Sequence, residues 1–461
     1  MERLSITTGN VTNLSNLQGS LRMDAEFYKP EYINVRDAVT RSDYATIGRI
    51  AARCKKGVFS IKAETYTSSG LPFVRISNLK NGLIDDADIA FISDEAQMKE
   101  KNTEFYKEDL LLSKTAYPAA SVVTFDRCNI SQDIIGISLK SSWKGKLKAP
   151  FLVAFLNSYF GLSQMQQWFQ GNVQMHLALS DVKRIVIPIL SPQLQEEISE
   201  TYSLAQREME KSKFLFSKAH ELLLKELGLA GFQLEYELSY QANLSRVFRI
   251  HRVDAEYFQP NYDHIENYLV TKFAAQPIGK IEFIDVTTGQ YSDEYVTQAE
   301  GKPYIRGTDI KNGTISTDDL FYIAPEKQAE SKKGREGDVV VTRVGTIGLS
   351  ARIPKECDGG TTSDNLIRLR FDQRKLDSYY LSLFLGSSIG VSLMIRNSRG
   401  SVQQRLNQET LKEVVVPILP ENAQQKMASC LQESHECLKN TRTLLDDAKK
   451  KVEESLRSAS D

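Results

Sequence analysis

The carboxylate, thiol and imidazole side chains of this 461-residue chain are plentiful but thinly grouped. Asp24 and Glu26 stand close together, and Asp254 and Glu256 repeat the pair. Two near carboxylates are metal-ligand chemistry in principle. Here Pro30 and Pro260 follow at equal spacing, and a turn that opens a segment is the preferred reading. The five histidines and five cysteines lack zinc-ligand spacing; Cys430 and Cys437 fall one heptad apart, as on one helix face. None of the 13 prolines neighbours another, so the (Asn/Asp)-Pro-Pro-(Tyr/Phe) grip on a base's amino group is missing. Gly345-Thr346-Ile347-Gly348 is too short for a phosphate-binding loop and lacks the following lysine. No carboxylate cluster with a lysine stands out for Mg²⁺-assisted hydrolysis. These residues predict no catalysis, no cofactor and no metal.

What does stand out is repetition. "MDAEFYKPEY" (residues 23–32) returns as "VDAEYFQPNY" (253–262), and "LPFVRISNLKNGLI" (71–84) as "KPYIRGTDIKNGTI" (302–315). "EDLLLSKTAYP" parallels "GDVVVTRVGTI", and "SQDIIGISL" parallels "TSDNLIRLR". "VQMHLALSDVKRIVIPIL" closes one half and "VQQRLNQETLKEVVVPIL" the other, with offsets of 229 to 231 throughout. Polar positions recur with the blocks: Arg75 with Arg306, Lys114 with Arg343, Tyr117 with Thr346, and Gln132 with Ser363.

The elements that would carry these residues follow from periodicity. "DLLLSKT", "DVVVTRV" and "NLIRLRF" read as strands, and Asn81-Gly82 and Asn312-Gly313 as tight hairpin turns. "APFLVAFLNSYFGLSQMQQWF" and "LDSYYLSLFLGSSIGVSLM" have apolar residues at helical spacing and are expected to cover the sheet. Each half is therefore α/β. After "VIPIL" and "VVPIL", long polar-apolar stretches begin at Ser191-Pro192 and at Pro420. Leu194, Ile198, Thr201, Ala205, Met209, Ser212, Leu215, Ala219, Leu222 and Leu227 form one seam. Met427, Cys430, Ser434, Cys437, Thr441, Leu444, Ala448 and Val452 form the other. Helices of this length span about 55 Å, and two narrow seams are best buried against each other as an antiparallel coiled coil with a pseudo-twofold relation. The alternative is that each helix packs on its own half.

Bulk properties set limits. The length implies more than one domain, and 41% hydrophobic with 25% charged residues is ordinary for a water-soluble protein. The apolar runs are short for a membrane span. No secretory signal is evident in "MERLSITTGN", and the odd, scattered cysteines fit a reduced, cytoplasmic protein. A net charge of −1 gives no bulk attraction to nucleic acid, so any such contact rests on local patches.

This doubled order of globular part and long helix resembles the specificity (S) subunit of type I restriction-modification systems. The carriers are the "DAE(F/Y)" openings, the R-x-x-(N/D)-(L/I)-K-N-G blocks, "GDVVVTRVGTIG" and the V-Q…V-P-I exits into long helices. The resemblance implies target recognition domains at residues 1–190 and 230–419, with conserved helical spacers at 191–229 and 420–461. It also implies a non-catalytic chain that reads a bipartite sequence in double-stranded DNA. Its partners would be two methyltransferase (modification) subunits, with restriction subunits in the full complex. Two unlike half-sites are expected, because the halves have drifted apart between their matched blocks.

On that reading the candidate DNA contacts are Arg75, Lys114, Tyr117, Gln132, Lys144 and Lys146 in the first half. In the second half they are Arg306, Arg343, Thr346, Ser363 and Asn365. Arg and Lys supply phosphate affinity, bidentate Arg reads guanine, and Asn or Gln reads adenine. Lys144, Lys146 and Lys148 would share a face if their segment were extended. Lys332, Lys333, Arg335, Arg352, Arg368 and Arg370 add local charge. Arg75 and Arg306 are either base contacts or structural ion pairs. Gln174, Gln403, Arg396, Arg399, Gln404 and Arg405 read better as caps of the exit into the long helix than as readers. The halves differ at the hairpin tip, where Ala116, Pro118 and Ala119 stand in place of the Gly345 and Gly348 pattern. Two other functions fit the same residues: a repeat-built protein-interaction scaffold, and the DNA-recognition subunit of another phage-defence complex.

Overall fold

Pro30 opens the helix Pro30–Thr40 and Pro260 the helix Pro260–Phe273. Both sit at the first helical position, where a missing amide hydrogen costs nothing. A 3-10 turn precedes each, Ala25–Tyr28 and Ala255–Phe258, and buries Phe27 or Phe258. The computed structural model describes residues 25–458 apart from 81, 87, 116, 170–175, 232–234, 283, 312, 319 and 401–403. Asp24, Gln174 and Gln403 lie outside the described residues. Glu26 pairs with Lys29, Asp254 with Arg252 at 2.6 Å, and Glu256 accepts the Tyr262 hydroxyl at 2.9 Å. The repeated acidic motif thus spends its described carboxylates on its own turn.

The chain divides into a first unit, residues 1–209 with 439–461, and a second unit, residues 210–438. In the first, an antiparallel sheet runs in the order Ala51–Lys56, Ile134–Leu139, Leu110–Ser113, Ala120–Val122. A second sheet orders Ala90–Ile92, Leu71–Val74, Arg127–Ile130 and Glu104–Tyr106, with a parallel pair at its centre. The second unit repeats this plan. Asp285–Thr288, Leu366–Arg370, Val339–Thr342 and Ser350–Arg352 form its antiparallel sheet. Phe321–Ile323, Lys302–Ile305 and Thr361–Thr362 form the mixed one. Where one flanked sheet per half was expected, the described residues of each half build two main sheets and two further two-stranded ones.

The central strands are buried on both faces, so their sequences are unbroken apolar runs. Val339, Val340 and Val341 are fully buried, each worth roughly 1.5–3 kcal/mol over exposure. The helices Ala149–Leu156 and Tyr159–Trp168 in one unit, and Ser378–Gly386 and Ser388–Asn397 in the other, bury their apolar faces in each core. The predicted hairpins form, Lys80 pairing with Leu83 and Lys311 with Thr314. Gly82 (φ 110°) and Gly313 (φ 70°) take the left-handed turn position. Asn81 and Asn312 lie outside the described residues.

Buried aspartates anchor corresponding strands. Asp109 accepts the Tyr106 amide at 3.0 Å, and Asp338 accepts the Arg335 amide at 2.8 Å. Arg370 donates to Asp338 at 2.7 Å, and Arg368 lies 3.6 Å from it and 2.6 Å from Asp285. Arg352 stacks on Tyr379 and pairs with Glu336. Arg396 is buried against Asp263 and Glu266 at 2.5 and 2.8 Å. These four arginines hold the fold together and do not form the basic patch expected of Arg352, Arg368 and Arg370.

The long helices run unbroken, Pro192–Glu226 and Glu421–Ser458. In the first unit their segments pack antiparallel. Thr441 donates to the Ala205 carbonyl at 3.3 Å, and Lys451 approaches Glu197 at 3.7 Å. Ile198, Tyr202 and Ala205 share a core with Leu445, Ala448, Val452 and Leu456. In the second unit Ser212 meets Ser434, and Ala219, Leu223 and Leu227 share a core with Ala423, Met427 and Leu431. Tyr202, Leu223, Leu431 and Leu445 are buried, whereas Thr201, Leu222, Cys430 and Leu444 lie partly exposed beside them. The expected seams are therefore one residue off at these positions.

Candidate nucleic-acid interface

In both units, loops gather at the ends of the central strands. Thr342 donates to the Thr346 carbonyl at 2.5 Å and accepts from the Leu349 amide at 2.9 Å. Ser113 likewise donates to the Tyr117 carbonyl and accepts from the Ala119 amide at 2.8 Å. One hydroxyl thus pins each tip, and the second loop is a residue longer. It uses Gly345 (φ 75°) and Gly348 (φ 91°). The Lys114 amide bonds the Asp133 carbonyl at 2.7 Å, and the Arg343 amide bonds that of Asn365 at 3.0 Å. His176 and Arg405 bridge to these loops at Thr115 and Val344.

That hydrogen bonding corrects the alignment of one block. Ser131 bridges Val58 as Ser363 bridges Gln290. Ser131 is therefore the counterpart of Ser363, Gln132 of Asp364, and Asp133 of Asn365. The sequence match had set Gln132 against Ser363, one residue out of frame.

Arg75 and Arg306 follow matched strands and sit in matched turns. Arg75 is paired with Asp88 at 3.0 Å. Arg306 is paired with Asp309 at 2.9 Å and lies 3.8 Å over the Phe321 ring. Both are anchored in ion pairs, and both remain partly exposed beside the tip loops. Arg343 donates to the carbonyls of Leu406 and Asp364 at 3.1 and 3.3 Å.

Around Arg306 the second unit opens a cleft of about 590 Å³. It gathers Arg306, Thr346, Ser363 and Asn365, with Tyr291, Tyr295 and Tyr304 on the walls. The Tyr304 hydroxyl donates to the Gln290 carbonyl at 2.9 Å, and burial pushes its pKa up to about 12. In the first unit Tyr117 takes the place of Thr346. Its hydroxyl reaches the Ile76 carbonyl at 3.3 Å, crossing to the turn that follows Arg75. Lys80 lies 5.7 Å over its ring. Gln132 is half-buried and precedes Asp133, whose carbonyl accepts the Lys114 amide of this loop.

Lys144 and Lys146 are not brought to these loops. Their segment is the short helix Ser141–Lys144 followed by a turn, so the extended-strand face does not exist. Lys146 lies 5.6 Å over Trp143, and Lys148 pairs with Glu196. Lys144 and Lys146 are exposed.

Sequence reasoning missed one matched pair. Phe59 and Tyr291 are large, exposed aromatics, 71% and 66% accessible. Each follows a glycine pressed on backbone: a Cβ on Gly57 would lie 2.2 Å from the Ile130 carbonyl, and one on Gly289 2.1 Å from that of Ser363. The signal was present as "KKGVFS" and "TTGQYS", which match only at an offset of 232.

No single helix among the described residues is long and apolar enough to cross a membrane. A comparison with curated proteins finds no match. Among solved structures, the chain is similar to the S subunit of a type I restriction-modification system from M. genitalium, at 14% identity and TM-score 0.39. That match covers 90% of this chain and 95% of that one. The HsdS subunit from Thermoanaerobacter tengcongensis matches at 14% identity and TM-score 0.28, over 90% and 96% of the two chains. The model of the type I restriction modification DNA specificity domain matches twice, at residues 42–213 and 282–450. Those spans cover well over half the sequence and include both tip loops. The chain belongs to the type I restriction-modification DNA specificity family and carries two copies of its domain.

Proposed function

We propose that this chain is the non-catalytic, sequence-reading subunit of a type I restriction-modification complex. It recognises an asymmetric bipartite site in double-stranded DNA and carries two methyltransferase subunits, joined by restriction subunits in the full assembly. Residues 1–190 and 230–419 are its recognition domains, residues 191–229 and 420–461 its helical spacers, and the cytoplasm its compartment.

One observation carries the reading of unlike half-sites. The duplicated family domain keeps its pinned tip loops but fills them differently, with Tyr117 over the Arg75 turn in one copy and an open cleft beside Arg306 in the other. Base contacts depend on side chains at such tips, while phosphate contacts only set position. Arg75, Lys114, Tyr117 and Gln132 serve the first half-site, and Arg306, Arg343, Thr346, Ser363 and Asn365 the second. Lys144 and Lys146, away from the loops, add phosphate affinity.

Methylation mapping in a host expressing the chain with its neighbouring methyltransferase tests this directly. A split motif is expected, and exchange of residues 230–419 for those of a relative changes one half alone. A continuous palindrome would defeat the proposal.

A further inference from the structure

The cleft of the second unit is built for more than groove contact. Tyr291 and Tyr295 stand at its mouth, 66% and 44% exposed. Tyr295 also meets Phe321 at 4.3 Å between ring centroids, and Phe321 carries Arg306 on its face. At the floor, Ser363 is 4% exposed, and its Oγ is buried with no hydrogen-bond partner. Asn365 lines the same cleft and is exposed. A buried, unpaired hydroxyl beside an open cleft is a group waiting for an occupant.

The chemistry narrows that occupant. Arg306 is neutralised by Asp309 at 2.9 Å, and Asp364 adds a further carboxylate to the lining. Such a balance does not favour a phosphate, which an excess of positive charge would hold. An aliphatic side chain would leave the Ser363 hydroxyl unpaired. A flat, uncharged ring with hydrogen-bonding edges satisfies every wall: it stacks on tyrosine faces and offers its edge to the Asn365 amide and the Ser363 hydroxyl. The volume, about 590 Å³, falls within the ~300–1,000 Å³ of small-ligand pockets.

We infer that this cleft receives a single nucleobase swung out of the second half-site, at a position other than the base that becomes methylated. The inference rests on the DNA-reading function proposed above. The first unit is not expected to do the same, because Tyr117 lies across its equivalent loop.

Extruding a base costs pairing and stacking, and that cost falls when the base is already mismatched. The test uses the complex of the full chain with its methyltransferase on duplexes carrying the mapped site, with one mismatch placed at each position in turn. At one unmethylated position of the second half-site, a mismatch is expected to tighten binding several-fold, whereas mismatches elsewhere weaken it. Tyr291→Ala, and Tyr291→Ala with Tyr295→Ala, abolish that gain while the first half-site is read as before. Tyr291 is exposed, so its loss leaves the fold intact, as unchanged thermal unfolding verifies. Selective binding in which no unmethylated position tightens overturns the pocket but leaves the DNA-reading function standing. Binding without any sequence selectivity overturns both.

Discussion

The hydroxyls of Ser212 and Ser434 lie 2.9 Å apart, buried between two helices of the second unit, and Ser434 Oγ also reaches the Ser212 carbonyl at 2.9 Å. Ser212 Oγ is held by Ser434 Oγ, whereas Ser434 Oγ is shared between the Ser212 hydroxyl and the Ser212 carbonyl. Ser434→Ala alone strands its neighbour and is expected to cost about 1–3 kcal/mol. Ser212→Ala with Ser434→Ala removes both groups and costs little more than one change. Urea unfolding of the two singles and the double measures the coupling; strictly additive losses would show that the hydroxyls act independently.

Gln195 and Gln424 perform one task twice. Gln195 donates to the carbonyls of Leu190 and Lys146 at 3.0 and 3.1 Å and accepts the Lys148 amide at 3.1 Å. Gln424 donates to those of Leu419 and Lys375 at 2.8 and 3.3 Å and accepts the Asp377 amide at 2.8 Å. Each buried amide ties the start of a long helix to the segment that leads into the core helices. Gln195→Leu keeps the bulk and loses the bonds, for roughly 1–3 kcal/mol. Hydrogen exchange at the Lys148 amide should accelerate well beyond that of amides in the second unit.

Asp338→Ala should be among the most damaging single changes. It leaves the buried Arg368 and its neighbour Arg370 short of their shared carboxylate, a loss of about 3–5 kcal/mol. Asp109→Ala, whose nearest cation, Arg53, lies 3.9 Å away, should cost less. Parallel denaturation curves decide the order.

Burial raises the pKa of Asp109, with the Tyr106 amide, Ser138 and Arg53 opposing it. A carboxylate raised on folding contributes stability that is full below its unfolded value and is lost as pH climbs through the folded value. Asp109→Asn removes that loss. Its stability relative to the parent should therefore rise as pH climbs from below the ordinary carboxylate range through the raised folded value and level off above it; a difference that stays flat from strongly acidic to neutral buffer would contradict the assignment.

The repeat, the strand runs, the Asn-Gly hairpins and the two long helices were all legible, because apolar periodicity and turn chemistry are local. Where prediction failed, three-dimensional partners decided. Whether Arg368 and Arg370 are surface cations or core anchors depends on Asp338 and Asp285, which lie 30 or more positions away in the chain. The extended reading of Lys144 to Lys148 failed because alternation of charge alone does not specify a strand. Tyr291 and Phe59 escaped notice because an inserted residue shifted their frame, and only the bridges at Ser131 and Ser363 restore it.

Asn365→Ala should relax the second half-site at one position, by about 1–3 kcal/mol if the amide makes a bidentate base contact, and leave the first half-site unchanged. Competitive binding against duplexes varied base by base, supported by methylation mapping, reads both outcomes at once. A uniform weakening across all sequences would assign Asn365 to the phosphate backbone instead.

Gly57 and Gly289 are hemmed in by neighbouring carbonyls on which even a methyl group would collide. On the proposed reading, selection for new target sequences can rewrite the tips on either side of them, but it must leave these two crossings alone. Invention in this molecule is thus confined to the periphery of a fixed backbone junction, and an engineer seeking altered specificity inherits the same boundary.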